Sequence, residues 1–277
     1  MTVLIAAEEL LDAHGRTVLL DVRWALGDDR GHERYLEGHL PGAVFVDLDT
    51  ELADPPSPER GRHPLPSVQR LQSAARRWGV RAGDRVVAYD DSGGTAAARA
   101  WWLLRWGGLA DVRLLDGGLA AWRRAGGPVE TGEVAPPTGD VVLVGGGMPV
   151  LGPDEAAALP RDGGLLLDAR AGERYRGETE PVDPRAGHVP GAVSAPTTAN
   201  LADDGTFLAA TALSERFAAL GAERGRPVGV YCGSGVTAAH EVAALTEAGI
   251  EAALWPGSWS EWSADPARPA ATGPDPG

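Results

Sequence analysis

The chain contains an internal repeat, and this repeat limits the folds that it can adopt. Three segments of the first half return in the second half in the same order: LLDVR (19–23) as LLDAR (166–170), GHLPGAV (38–44) as GHVPGAV (187–193), and LLDGGLAAW (114–122) as LWPGSWSEW (254–262). Self-similarity over most of a chain is typical of tandem copies of one structural unit. We therefore expect two domains of similar fold within the 277 residues.

Each half alternates short apolar runs with helical patterns. The apolar runs are TVLLD, RVVAYD, GLLLD and PVGVYC, and helices are expected at 5–15, 68–79 and 95–108 in the first half and at 153–164, 212–225 and 236–249 in the second. This alternation indicates parallel strands with covering helices. The expected fold class is α/β, with two tandem domains, each a central parallel sheet covered by helices on both faces.

A stretch rich in Gly and Pro, GGPVETGEVAPPTGDVVLVGGGMP at 126–149, separates the two halves. It has no sustained helical period, which is typical of a linker. We place the first domain at 1–128, the linker at 129–149 and the second domain at 150–277.

The composition argues against several classes of function. The net charge is −14, so nucleic acid and anionic membranes are not expected as partners. All 25 basic residues are Arg, which excludes Schiff-base chemistry on lysine. A single cysteine cannot form an internal disulfide, and with scattered histidines it gives no metal-ligand spacing. The N-terminal residues lack the features of a signal peptide, and no apolar run is long enough to span a bilayer. We expect a cytoplasmic protein that needs no metal and no cofactor.

The one cysteine, Cys232, lies in the fourth matched pair of segments. VVAYDDSGGTAAARA at 86–100 aligns without a gap on VGVYCGSGVTAAHEV at 228–242, and this alignment sets Asp90 against Cys232. A lone cysteine is more often a buried structural residue than a nucleophile. Here the flanking pattern recurs in the other half without the cysteine, so the loop does not need a cysteine for its structure. A catalytic cysteine, in contrast, would need such a loop. We therefore interpret Cys232 as the nucleophile of a catalytic second half.

The sequence around Cys232 suits a reactive thiolate. The cysteine follows a buried strand and precedes a helix, which places it at the carboxyl edge of a parallel sheet, where α/β proteins carry their sites. The intervening GSG has no large side chains, so its backbone N–H groups can turn inward as an anion-binding nest. The helix N-terminus adds partial positive charge. Both features stabilise a thiolate.

The CGSGVT loop, the two GH-x-PGA turns and the doubled architecture resemble the two-domain rhodanese family of sulfurtransferases. This resemblance implies that the first domain is catalytically silent and that Cys232 takes a sulfane sulfur as a persulfide. The sulfur then passes to a thiophilic acceptor such as thioredoxin, a small thiol or cyanide. The resemblance also marks four further loop residues as donor contacts: Gly233, Gly235, Val236 and Thr237.

The loop composition bears on the sulfur donor. In this family, thiosulfate enzymes resemble CRKGVT, whereas mercaptopyruvate enzymes resemble CG[ST]GVT, and Gly233 and Ser234 carry no charge. The sequence therefore favours 3-mercaptopyruvate, whose carboxylate the family binds with two arginines. The matching residues are Arg174 in RYRG and Arg185 in DPR, because guanidinium groups pair with carboxylates in a bidentate manner. Arg176 is interpreted as a solvated surface charge.

Mercaptopyruvate enzymes of this family are also proposed to use a Ser–His–Asp arrangement. The resemblance points to Ser234, to His63 in GRHPLP and to Asp49 in FVDLD, with Asp47 as the near alternative. A hydroxyl polarised by an oriented imidazole could deliver a proton to the leaving enolate.

Three other functions compete with this interpretation. A cysteine-based phosphatase would need Arg where the chain has Ala238, which excludes that class. A thiosulfate sulfurtransferase of the thiosulfate:cyanide type and a non-catalytic rhodanese-fold binding protein remain as alternatives.

Overall fold

The computed structural model describes residues 2–13, 16–223 and 225–277. The predicted helices at 5–15 and 212–225 therefore include three residues, His14, Gly15 and Arg224, that lie outside the described residues. The chain divides into two compact units, each assembled from separate stretches of sequence. The first unit comprises Met1–Asp54, Pro66–Met148 and Asp203–Phe207, and the second comprises Pro55–Leu65, Pro149–Ala202 and Leu208–Gly277.

The first unit contains a five-stranded sheet with strand order β1-β5-β4-β2-β3, in which every pair is parallel. Its elements are β1 (Leu4–Ile5), α1 (Ala7–Leu11), β2 (Thr17–Asp21), α2 (Gly31–Glu37), β3 (Val44–Phe45), α3 (Leu48–Glu51), α4 (Val68–Arg77), β4 (Arg85–Tyr89), α5 (Ala97–Trp106), β5 (Val112–Leu115) and α6 (Gly118–Arg124).

The second unit contains a four-stranded parallel sheet with strand order β7-β6-β8-β9. Its elements are α7 (Pro153–Ala158), β6 (Leu165–Asp168), α8 (Gly172–Tyr175), β7 (Val193–Ser194), a 3-10 helix (Thr197–Asn200), α9 (Ala210–Ala219), β8 (Val228–Tyr231), α10 (Thr237–Glu247), β9 (Ala253–Leu254) and α11 (Ser258–Ala264). The predicted α/β class, with two parallel sheets flanked by helices, is confirmed. No helix in the described part of the chain is long and apolar enough to cross a membrane.

The repeated LLD-x-R segments form the same buried network in each unit. In the first unit, Arg23 donates to both carboxylate oxygens of Asp21, with a shortest distance of 2.7 Å, and to the carbonyl of Gly38 at 2.7 Å. The hydroxyl of Tyr89 accepts from the backbone N–H of Leu40 at 3.0 Å. Strand end, arginine and GH-x-PG turn are thus joined by charge-assisted hydrogen bonds.

The second unit repeats these contacts. Arg170 lies 2.6 Å from Asp168 and donates to the carbonyl of Gly187 at 2.7 Å, and Tyr231 accepts from the backbone N–H of Val189 at 3.1 Å. The register sets Asp168 opposite Tyr231 on the two central strands, as it sets Asp21 opposite Tyr89 in the first unit. The repeated motif therefore fixes the turn against the carboxyl edge of each sheet.

The segment predicted as a linker is bonded to the first unit. The N–H of Val141 donates to the carbonyl of Val80 at 3.3 Å, and the N–H of Val144 donates to the carbonyl of Gly107 at 2.9 Å. Leu143 is buried. These contacts attach the Gly- and Pro-rich stretch to the first unit, whereas the domain boundaries themselves stay a prediction.

Helix α10, which follows the cysteine loop, carries a buried acid. The carboxylate of Glu241 accepts from the side-chain amide of Asn200 at 2.6 Å and lies 3.5 Å from Arg216. Burial raises the pKa of Glu241 from its ordinary value of 4.5 to about 7. The native protein therefore holds this proton at a pH where the unfolded chain has released it.

We expect this proton to make stability fall as the pH rises. The proton on Glu241 contributes about 3 kcal/mol to the unfolding free energy. This contribution is present in full below about pH 4.5 and is lost as the pH rises through about 7. Glu241→Gln should remove this dependence, so its stability relative to the wild type should increase between about pH 5.5 and pH 8. Urea unfolding at the two pH values measures the unfolding free energy of each protein. A difference between the two proteins that does not change with pH would contradict a raised pKa for Glu241.

Candidate active site

Cys232 lies between the end of β8 and the start of α10, and its side chain is buried. Its Sγ accepts a hydrogen bond from the N–H of Gly235 at 3.1 Å. Gly235 has φ +77°, and a Cβ on it would lie 2.4 Å from the carbonyl oxygen of Pro256. Only glycine fits at this position, so the turn that aims an N–H at the sulfur depends on it. Val236 and Thr237 complete the loop as the N-cap and first residue of α10.

The first turn of α11 braces the cysteine loop. The N–H of Trp259 donates to the carbonyl of Cys232 at 3.0 Å, and the N–H of Ser260 donates to the carbonyl of Gly233 at 2.9 Å. The N–H of Cys232 donates to Ser258 Oγ at 3.1 Å. The start of α11 thus forms hydrogen bonds with both the N–H and the carbonyl of Cys232.

Ser258 holds an unusual backbone conformation. Its φ of 54° makes it the one non-glycine residue with positive φ among the described residues. In the matched segment of the first unit, Gly118 has the same φ of 54°. A serine is strained there, whereas glycine is not. Its hydroxyl supplies the acceptor for the Cys232 N–H, which gives a physical reason for retaining the strain.

The segment that carries Gly61, Arg62 and His63 belongs to the second unit. Gly61 has φ +81°, and a Cβ on it would lie 2.5 Å from the carbonyl oxygen of Gly257 and 2.7 Å from Ser260 Oγ. The N–H of Arg62 donates to Ser260 Oγ at 3.1 Å. This close approach, which requires glycine, sets Arg62 and His63 against the turn that braces the cysteine loop.

The structure brings Ser234 and His63 together. Ser234 Oγ lies 2.7 Å from His63 Nδ1, and both side chains are buried. Asp49 belongs to the first unit, where its Oδ2 accepts from the indole N–H of Trp24 at 3.0 Å. Asp47 caps helix α3 by accepting from two backbone N–H groups. The serine–histidine pair is present within one unit, and the role of Asp49 stays a prediction.

Two guanidinium groups converge over Gly233. A Cβ built on Gly233 would lie 3.0 Å from Arg62 Nη2 and 3.3 Å from Arg174 Nη1. Arg174 is expected from the RYRG motif, whereas no motif indicates Arg62, although it directly precedes His63. The loop itself is uncharged, as its sequence shows, but cations from two other segments reach it.

The guanidinium of Arg185 is used elsewhere. It donates to four main-chain carbonyls, those of Trp262, Ser263, Asp265 and Arg268, at 2.7–2.9 Å. These bonds would have to break before Arg185 could bind a carboxylate. The binding of the sulfur donor by Arg185 stays a prediction, and the short distance from Arg62 to Gly233 favours Arg62 for this role. Arg176 forms an exposed ion pair with Glu178 at 2.7 Å, as expected of a surface charge.

The loop of the first unit shows what this backbone geometry binds. The carboxylate of Asp90 accepts four backbone N–H bonds, at 2.8 Å from Ser92 and Gly94, 2.9 Å from Ala96 and 3.0 Å from Ala97. Burial raises the pKa of Asp90, whereas these four N–H bonds favour the ionised form, so the loop forms a nest around the carboxylate. The loop can cradle negative charge, and in the second unit the matching residue is Cys232.

The comparisons with known proteins agree with this arrangement. The family model of the rhodanese-like domain matches residues 6–125 and 152–265. Since the two matches cover most of the sequence, the chain belongs to the rhodanese-like family, with two copies of the domain. Its named relatives are sulfurtransferases, and the chain is an enzyme of that class.

Two relatives match nearly the full chain. A putative thiosulfate sulfurtransferase SseB of Mycobacterium tuberculosis is 52% identical over 98% of this chain and 97% of its own length. A probable 3-mercaptopyruvate sulfurtransferase of Pseudomonas aeruginosa is 50% identical over 92% of each chain. Among solved structures, the 3-mercaptopyruvate enzyme SseA of Escherichia coli is 33% identical, with a TM-score of 0.81 over 94% of this chain and 99% of that one.

Ser258 offers a test of how the cysteine backbone is held. Ser258→Ala keeps the strained backbone and leaves the Cys232 N–H without its acceptor, so we expect a loss of about 2 kcal/mol in unfolding free energy. Ser258→Gly relieves the strain and should lose less stability. Both should slow sulfur transfer, because both remove the same hydroxyl.

Urea unfolding measures the loss of stability, and steady-state kinetics measure the rate of sulfur transfer. Ser263→Ala on the same helix is the matched control, since Ser263 Oγ is buried without a hydrogen-bond partner. Equal losses of stability and of the rate of sulfur transfer in Ser258→Ala and Ser263→Ala would show that the hydroxyl of Ser258 has no special role.

Proposed function

We propose that the chain moves a sulfane sulfur from 3-mercaptopyruvate through a persulfide on Cys232 to a thiophilic acceptor. The observation that carries this proposal is the hydrogen bond of 2.7 Å between Ser234 and His63 in the loop of Cys232. A donor that leaves as an enolate needs a proton, and a histidine-backed hydroxyl two residues from the nucleophile can supply it. Thiosulfate leaves as sulfite and needs no such proton.

The reaction takes place in two transfers. The thiolate of Cys232 attacks the donor sulfur, so an S–S bond forms while the C–S bond of the donor breaks. The electron pair of that bond leaves as the enolate of pyruvate, which takes a proton from Ser234, and His63 replaces that proton. An acceptor thiolate, such as thioredoxin or a small thiol, or cyanide, then attacks the outer sulfur and restores the Cys232 thiolate.

The loop of the first unit supports the persulfide. There, four backbone N–H groups hold the carboxylate of Asp90. Cysteine is shorter than aspartate, and one added sulfur atom extends it toward the place where those carboxylate oxygens lie. A persulfide anion on Cys232 would accept hydrogen bonds from a nest of the same sequence pattern, which stabilises the loaded enzyme.

The donor carboxylate fits the two guanidinium groups over Gly233. Arg62 and Arg174 approach Gly233 from different segments, to 3.0 Å and 3.3 Å from the position of a Cβ on that glycine. A carboxylate bound there would place the rest of a three-carbon donor next to Cys232. Charge-assisted pairing of this kind contributes about 1.5–3 kcal/mol per hydrogen bond.

Thiosulfate is the alternative donor, and two observations favour it. The relative from Mycobacterium tuberculosis is named as a putative thiosulfate sulfurtransferase. The same two guanidinium groups could bind a dianion, in place of the cations that other family members carry within the loop. The enolate argument and the Ser234–His63 pair favour mercaptopyruvate, so we keep thiosulfate second.

We expect Cys232→Ser to abolish sulfur transfer while the protein stays folded, because the hydroxyl cannot hold a sulfane sulfur. Mass spectrometry of the protein after exposure to each donor should show one added sulfur on the wild type and none on the variant. Thermal unfolding provides the folding control. Turnover by purified Cys232→Ser would refute the mechanism, and an unloaded wild type with every donor would support a binding protein.

We expect mercaptopyruvate to be used with a higher kcat/KM than thiosulfate at equal pH and acceptor concentration. Arg62→Ala or Arg174→Ala should raise the KM for mercaptopyruvate by about ten- to a hundredfold, since each removes a charge-assisted pair. Arg185→Ala should mainly reduce stability.

The matched control for the arginine variants is Arg176→Ala, which removes an exposed guanidinium of the same segment. Steady-state kinetics with both donors provide the measurement. A wild type that prefers thiosulfate would overturn the donor assignment and leave the persulfide step intact. A KM that rises for Arg185→Ala but not for Arg62→Ala would return the carboxylate site to Arg185.

A further inference from the structure

An acidic side chain occupies the space between the two arginines of the proposed donor site. Asp183 Oδ1 pairs with Arg62 Nη1, and Asp183 Oδ2 lies 3.3 Å from Arg174 Nη2. The side chain of Asp183 is almost fully buried, with 4% exposed, whereas the side chains of Arg62 and Arg174 are 24% and 17% exposed. One carboxylate thus makes the contacts that a bound donor carboxylate would make.

Asp183 is not required to hold Arg174 in place. Glu180 accepts from Arg174 Nη2 at 2.7 Å and lies 3.4 Å from Arg170, so Arg174 is anchored to the buried core network without Asp183. Arg62 is held through its backbone by Ser260. Two arginine atoms nevertheless remain buried without a hydrogen-bond partner, Nε of Arg62 and Nε of Arg174.

Burial also makes the ionised form of Asp183 costly. Desolvation raises the pKa of Asp183, and the two arginines only partly offset this. The carboxylate and Arg62 border a cavity of about 310 Å³ together with Ser260. The cavity therefore offers free space directly beside Asp183 and Arg62.

We propose that the carboxylate of Asp183 stands in for the carboxylate of the sulfur donor and is displaced from Arg62 and Arg174 when the donor binds. This proposal rests on the proposed function, since it takes the two arginines as the donor site. The exchange replaces one carboxylate with another on the two guanidinium groups. Asp183 is then a specificity-determining residue that sets how tightly anionic donors bind.

The displaced carboxylate stays near the site and repels the incoming anion. Coulomb repulsion scales with charge, so a dianion is opposed about twice as strongly as a monoanion. Asp183 should therefore discriminate against thiosulfate relative to mercaptopyruvate. The two guanidinium groups alone would favour the dianion.

The test compares Asp183→Asn with the wild type in the full-length protein. We expect the dissociation constant for pyruvate, measured by calorimetry, to fall about tenfold, because the amide competes weakly for the guanidinium groups. The KM for mercaptopyruvate should fall by a similar factor with little change in kcat, and kcat/KM for thiosulfate should rise more. Glu178→Gln removes an exposed acid of the same segment and should change none of these quantities.

Weaker pyruvate binding by Asp183→Asn would show that Asp183 positions the arginines, and unchanged binding would show that it has no part in the site. Asp183→Ser is a second variant for the case in which the amide perturbs folding. In an Arg62→Gln background the gain from Asp183→Asn should shrink, and a full gain there would also overturn the proposal. Failure of the donor assignment is distinguishable, because then the wild type would not use mercaptopyruvate whatever the pyruvate result.

Discussion

The buried ion pair between Asp168 and Arg170 is the interaction on which the catalytic unit depends. It joins the end of a central strand to the GH-x-PG turn through the carbonyl of Gly187, and Arg170 also contacts Glu180, which holds Arg174. Removal of one partner would leave an uncompensated buried charge, at a cost of about 3–5 kcal/mol. The same pair that fixes the core therefore fixes the orientation of an arginine in the site.

The fold followed from the sequence because its signals are local and occur twice. Strand ends, turns and the helix after each loop lie in contiguous segments, and the repeat made their equivalence visible. The position of Cys232 at the carboxyl edge of the sheet followed from the same pattern. Helix α7 ended earlier than expected, at Ala158, because Pro160 has no N–H to donate the next helical hydrogen bond, although Leu159 itself keeps helical backbone angles.

Parts of the site could not be predicted, because they depend on contacts between segments far apart in sequence. Nothing local in GRHPLP indicates that Gly61 packs against Gly257 and Ser260, yet this packing carries Arg62 to Gly233. Arg185 has the expected motif, but its side chain is bound by four carbonyls near the C-terminal end of α11. A motif identifies which side chain is present, and only the tertiary contacts decide where it points.

The loops of Asp90 and Cys232 have matching sequence patterns but different contacts. The loop of Asp90 binds its own carboxylate, whereas in the loop of Cys232 the N–H of Gly235 donates to the sulfur. The turn behind each loop differs in the same sense, with Gly118 relaxed in the first unit and Ser258 strained in the second.

The assignment of Pro55–Leu65 to the second unit has a consequence for the modularity of the chain. These residues lie within the first half of the sequence, so His63 and Arg62 are encoded outside the half that carries Cys232. A gene fragment that began at the repeat boundary would give a protein with a nucleophile and an incomplete site. The duplicated half without a cysteine is therefore not a redundant copy, because it encodes a segment that packs within the unit of its twin.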